Sequence, residues 1–212
     1  MPRRSTELAQ EFGVIVIGVF LALAAESWWS EREDRRLERE IREDMVAEFE
    51  ANIRTLEADL ATNEGARVGM AILDGLSGEA LMALTDDRIL GMFYPFVDWA
   101  GFDPEMGTVQ ALVESGNIVL VSDRALRLRL ARWAGLLEQN RRFNLQAVTF
   151  QQREVMPAFA TAGADGHWSA SERRELQILM SHMLALFDST VTNQRQLLET
   201  AQHILVFLRE ND

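Results

Sequence analysis

The segment that most constrains this chain is FGVIVIGVFLALAAESWWSEREDRR, residues 12–36, where an apolar run meets two tryptophans and then a dense alternation of acids and arginines. Residues 12–25 carry no charge apart from the chain's flanking groups, and residues 15–25 show no polar face at the three- or four-residue spacing that an ordinary core helix presents to water. Length alone leaves a core helix, an interfacial segment and a signal h-region open. Extending the run to residues 8–29 reaches the roughly 20 residues that cross a bilayer, with Gln10, Glu11 and Glu26 near its ends. Trp28 and Trp29 then stand where an aromatic belt lies, ring bodies in lipid and indole N–H groups among headgroups. Arg3-Arg4 and Ala22-Leu23-Ala24 would suit a cleaved signal, but Glu7 and Glu11 are out of place in its basic region, and the helical pattern runs through the cleavage site. A retained single transmembrane anchor is the favoured reading, with a cleaved signal and a buried soluble helix as the alternatives.

This run also has a seam. Glu11, Ile15, Gly18, Ala22 and Ala25 follow one another at steps of four, three, four and three, with Glu26 beside the end. Small residues at Gly18 and Ala22 let a second helix approach closely, which is how membrane helices associate. Glu11 and Glu26 either reach headgroups or face protein.

Beyond the tryptophans the pattern stays helical. Leu37, Ile41, Met45 and Phe49 recur every four residues, and Val46, Phe49, Ile53, Leu56 and Leu60 continue at steps of three and four. The other faces are charged and read as solvated. No glycine or proline separates Trp29 from Asn63, so the anchor and this helix are expected to form one rod. Residues 65–91 read as shorter helices broken by Gly75, Gly78 and Thr85-Asp86. Asp103-Pro104 reads as a helix start, Gly116-Asn117 as its left-handed end, and Ser122 as the cap of a long helix ending near Pro157. Ser169-x-x-Glu172 is a capping box before a final helix or helix pair. No strand pattern of useful length and no internal repeat appears. The expected fold is all-α: residues 1–30 form the tail and transmembrane helix, which continues into an antiparallel helical bundle of residues 31–212.

The chemistry that such a chain could carry is narrow. A net charge of −12 argues against a nucleic-acid partner, which needs clustered positive charge. There is no cysteine and no lysine, which excludes thiolate chemistry, disulfides and a phosphate-loop lysine. His167, His182 and His203 lie outside any metal-ligand spacing, and no nucleophile elbow is present. No catalytic, cofactor or metal site is therefore predicted. One aromatic cluster stands out, Phe93, Tyr94, Phe96, Trp99 and Phe102, which either plugs the bundle's open end or forms an exposed contact patch.

The apolar helix followed by Glu-Ser-Trp-Trp-Ser-Glu-Arg, together with TVQALVESGNIVLVSDRALRLRL at residues 108–130, resembles a group of uncharacterised bacterial single-span helical proteins. Leu112, Ser115, Gly116, Val121, Asp123, Leu126 and Arg127 occupy the positions of that group's second motif, while its basic N-terminal tail is reduced here to Arg3 and Arg4. The resemblance implies a place in a bacterial inner membrane and no activity. For orientation, Arg32, Arg35, Arg36 and Arg39 favour a cytoplasmic bundle by the positive-inside rule. The short anchor, the group's usual tail and the lack of cysteine favour the periplasm, which is the orientation chosen.

Together these readings predict a non-enzymatic interaction or scaffold subunit, an accessory of a larger membrane complex such as a respiratory or photosynthetic one. Its expected partners are the lipid bilayer and other transmembrane helices, in a hetero-complex or homo-oligomer. The alternative is a membrane-tethered enzyme or ligand sensor with a pocket near residues 93–99.

Overall fold

The computed structural model describes residues 3–210 apart from 98, 100, 117, 119, 120, 122 and 163–166. Within that set, the side chains of residues 3–16, 93–97, 113, 161 and 162 are outside the description. The described elements are α1 (Arg3–Asp74), α2 (Gly78–Ala83), α3 (Asp86–Val97), α4 (Gly107–Glu114), α5 (Arg124–Phe150), a π-helical turn (Gln151–Val155), α6 (Met156–Ala162) and α7 (Ala170–Glu210). Among the described residues there is no strand.

Three long helices build the frame. α1 and α7 run antiparallel: Glu50 pairs with Arg209, Asn63 with Gln194, Arg67 with Asp188, and Gln177 donates to the Leu73 carbonyl at 3.0 Å. α5 also runs against α7, with Asn193 beside the Leu136 carbonyl and His182 against Phe150. The apolar stripe read from the sequence is inward, since Met45, Phe49, Leu56 and Leu60 are buried on α1. Met45, Phe49 and Leu56 meet Leu126, Leu130 and Trp133 of α5 and Leu197, Ala201, Ile204 and Leu208 of α7 in one cluster. A second cluster holds Met70, Leu73, Ile89, Val155, Leu176, Met180, Met183 and Phe187.

Several boundaries differ from expectation. α1 does not stop near Asn63 but continues through Gly65 and Gly69 to Asp74. A helical glycine costs about 1 kcal/mol relative to alanine, and packing against α7 and α3 offsets that here. At Gly69 the missing side chain matters, because a Cβ would stand 3.2 Å from the Met92 carbonyl oxygen of α3. α5 is capped by Asp123, which accepts from the N–H groups of Ala125 and Leu126 at 2.6 and 3.0 Å; Ser122 lies outside the described residues. Pro157 does not end the helix. The Met156 N–H instead bonds the Gln151 carbonyl, five residues back, so the π turn absorbs a proline that offers no N–H of its own. The capping box forms as expected: the Ser169 N–H reaches Glu172 Oε2 at 2.7 Å and the Glu172 N–H reaches Ser169 Oγ at 3.3 Å. Gly116, at φ 71°, ends α4 in the left-handed conformation that favours glycine.

The membrane-spanning expectation requires correction. Among the described residues, no helix is long and apolar enough to cross a membrane. Charge closes the apolar run at its C-terminal end: Glu26 follows Ala25, and Glu31, Arg32, Glu33 and Asp34 come soon after. The single transmembrane helix, the inner-membrane location and the periplasmic orientation built on it are accordingly not supported. What the structure places there is a helical arm. α1 contains 72 residues, about 108 Å of helix at 1.5 Å per residue. α7 ends level with Arg42, whose guanidinium reaches the Leu208 carbonyl at 3.2 Å, and residues 17–37 are all exposed.

Candidate functional site

Two regions concentrate the features that sequence analysis singled out. The first is the arm. Gly18, Ala22, Ala25 and Glu26 of the seam are exposed, and a Cβ on Gly18 would meet nothing within 4 Å. The side chains of Glu11 and Ile15 lie outside the described residues. Trp28 and Trp29 are 58% and 69% exposed, and the Arg32 guanidinium carbon lies 5.5 Å from the Trp28 ring centroid. Further along, Arg35 bonds Glu31 at 2.9 Å and Arg36 bonds both Glu33 and Glu40. The Arg36 guanidinium holds the Glu33 carboxyl below its ordinary range. These one-turn pairs tie Glu31, Glu33, Arg35, Arg36 and Glu40 together within their own helix. N-terminal to these pairs the arm exposes apolar surface, with Ile17, Phe20, Leu21 and Leu23 each more than half accessible.

The second region is the linker between α3 and α4. Phe93, Tyr94 and Phe96 lie on the last turns of α3, with side chains outside the described set. Trp99 and Phe102 turn inward. Trp99 stacks at a tilt on Phe187, with centroids 5.7 Å apart, and its indole N–H donates to Gln151 Oε1 at 3.3 Å. Phe102 is buried edge-on to Trp133 at 6.3 Å, and Trp133 in turn meets Phe49 at 5.3 Å. Of the cluster that the sequence reads as plug or contact patch, Phe102 is thus buried and Trp99 half-buried.

The linker is held by side chains reaching its backbone from both sides. From α1, Asn52 donates Nδ2 to the Glu105 carbonyl and accepts the Glu105 N–H, both at 2.8 Å. Glu48 accepts the Thr108 N–H at 2.7 Å, so α4 starts at Gly107 under a cap from another helix, not at Pro104. Burial raises the Glu48 carboxyl above its usual range, opposed by the N–H groups of Thr108 and Val109 and reinforced by nearby Glu105. From α5, Asn140 donates Nδ2 to the Phe102 carbonyl at 3.1 Å. One turn further on, Asn144 closes on Gly101, where a Cβ would lie 3.2 Å from the carboxamide nitrogen.

Sequence reasoning missed Glu48, Asn52, Asn140, Asn144 and Gln151. The available signal was a polar side chain at an inward step of an apolar stripe: Asn52 falls between Phe49 and Leu56, and Asn140 follows Trp133 and Leu137.

Between this linker and α5 lies a cleft of about 410 Å³. Phe102, Pro104, Met106 and Leu137 supply apolar wall, and Asp103, Glu138 and Arg141 supply charge. Two neighbouring carboxamide oxygens, Asn140 Oδ1 and Asn144 Oδ1, are closed off from solvent without a hydrogen-bond partner among the described residues.

The histidines stand apart from both regions. His167 is exposed with Nδ1 3.3 Å from Asp86, and His182 and His203 are also exposed. Among the described residues, no group of three or more acidic or histidine side chains is placed to hold a metal ion. Comparison of the chain with family models, curated proteins and solved structures gave no match, so the resemblance noted above rests on its residues alone.

Proposed function

We propose that this chain is a non-catalytic interaction or scaffold subunit that joins a larger assembly through the projecting arm of α1. The observation that carries this reading is the exposure of Ile17, Phe20, Leu21, Leu23, Trp28 and Trp29, all more than half accessible, on a helix continuous with the bundle. Apolar surface left in water costs about 25 cal/mol per Å², and a contiguous patch of this kind marks a site of association. The occupant that fits is an apolar helix. Gly18 and Ala22 permit close approach of a second backbone, and the paired charges after Glu31 give the apolar contact a defined end.

The absence of cysteine makes the test direct. Gly18→Cys carrying a short cross-linker, in protein purified gently from its source, should form one reproducible adduct, while Leu128→Cys on the exposed face of α5 should form none. Light scattering should give a mass above that of the single chain. A monomer whose arm is open to proteolysis would overturn the reading.

A further inference from the structure

We propose that the helix received by the projecting arm is the arm of a second copy of this chain, antiparallel about a two-fold axis passing between Ala22 and Ala25. This inference rests on the arm being an association surface and names its partner. The face concerned is apolar, with Leu21, Trp28 and Trp29 each more than half exposed. Gly18, Ala22, Ala25 and Trp29 follow at steps of four, three and four, the coiled-coil repeat, in an order that reads the same from either end. An antiparallel copy therefore meets this face in register. Trp29 of one arm comes level with Gly18 of the other, where nothing of the same chain lies within 4 Å of a Cβ, and Ala22 comes level with Ala25. Leu21 and Trp28 share one flank of the face, and the axis brings Leu21 of each arm against Trp28 of the other. Each large ring thus meets a smaller residue, in the isologous contact that a two-fold requires.

Charge selects a second copy in this orientation. The same steps carry the face, by helical register alone, to Glu11 and Arg4 in one direction and to Arg36 and Glu43 in the other. About the proposed axis Glu11 is level with Arg36 of the second copy and Arg4 with its Glu43, so opposite charges face each other at both ends. A parallel copy would instead set Arg32, Arg36 and Arg39 against themselves, and like charges in contact repel. An unrelated apolar helix would leave these charges without counterparts. The bundle does not obstruct the contact. Met45, the first fully buried side chain of α1 among the described residues, stands roughly 180° round the helix from Gly18 at about 100° per residue. Each bundle therefore lies on the side of α1 away from the second arm, and the overlap from Arg4 to Glu43 extends for about 60 Å.

Light scattering on the purified full chain alone should give about 48 kDa, twice the 24.0 kDa of one chain. Gly18→Cys and Trp29→Cys, in a chain otherwise free of cysteine, are then oxidised separately and as an equal mixture. Only the mixture should form a disulfide-linked dimer in high yield. The antiparallel register brings residues 18 and 29 level and holds each about 16 Å along the axis from its own copy, beyond the roughly 7 Å that a disulfide spans between Cα atoms. A mass other than two chains, or Gly18→Cys linking to itself, would overturn the proposal. A lone chain that stays monomeric while Gly18→Cys still forms its adduct with a different protein in source material would overturn the second copy and leave the arm's role in association standing. A monomer with no adduct would sink both.

Discussion

Asn63 donates its carboxamide N–H to Gln194 Oε1 at 2.9 Å across the buried interface of α1 and α7, where neither residue is accessible to solvent. The pair lies between the two apolar clusters, after Leu56 on α1 and before Ala66. Replacing one member leaves the other's amide buried without its bond, at a cost of about 1–3 kcal/mol. Asn63→Leu should therefore lower unfolding free energy in urea by that amount. Asn63→Leu with Gln194→Leu should recover part of the loss, since the bond between the two amides is then removed from both sides at once. A double variant as unstable as the sum of the singles would show that the pair is not acting as a unit.

The two bonds between Asn52 and Glu105 fix the linker where it enters α4. Asn52→Ala removes both and should cost about 1–3 kcal/mol. Hydrogen exchange should localise the effect, with faster exchange at Glu105 and Thr108 and little change along α7. Uniform acceleration across the bundle would point to general loosening.

Glu48 gives a pH dependence with a definite sign. Its carboxyl sits above the ordinary 4.5, so the folded chain holds that proton more tightly than the unfolded one. Its contribution to stability is fully present below 4.5 and is lost as pH rises through the raised value. Glu48→Gln keeps an acceptor for the Thr108 N–H and removes the buried charge. It should match or exceed the parent in melting temperature at pH 8, with the difference shrinking towards pH 4. Glu48→Ala lacks the cap and should lose about 1 kcal/mol at both. A parent whose advantage over Glu48→Gln grows with pH would contradict the assignment.

If the arm's seam meets a partner helix, Gly18→Ile and Ala22→Ile should each weaken the assembly measured by light scattering, because a branched side chain keeps backbones apart. Circular dichroism should be unchanged, as a Cβ at Gly18 meets nothing within 4 Å. Unchanged mass in both variants would remove the seam from the interface.

What the sequence made legible follows from range. The stripe through Met45, Phe49 and Leu56 and the capping box at Ser169 depend on neighbours three or four residues apart, and both are present as read. The start of α4 was misplaced at Asp103-Pro104 because its cap comes from Glu48, on another helix. The continuation of α1 past Gly65 was missed for a similar reason. Local propensity disfavours glycine there, and the packing of α7 that overrides it is invisible along the chain. The candidate cleft was least legible of all, since its wall joins the linker to a helix over thirty residues away.

The unbroken helix from the arm into the bundle makes α1 a shaft with a fixed phase. Each residue turns it by about 100° and advances it by about 1.5 Å. One alanine inserted between Arg36 and Leu37 would hence rotate the bundle by about 100° relative to anything gripping the arm, with almost no change in reach. Seven inserted residues would return it to within about 20° of its original heading while moving it roughly 10 Å further away. An assembly that reads the bundle's azimuth would fail with one added residue and recover with seven, whereas one that needs only a tether would be indifferent to both.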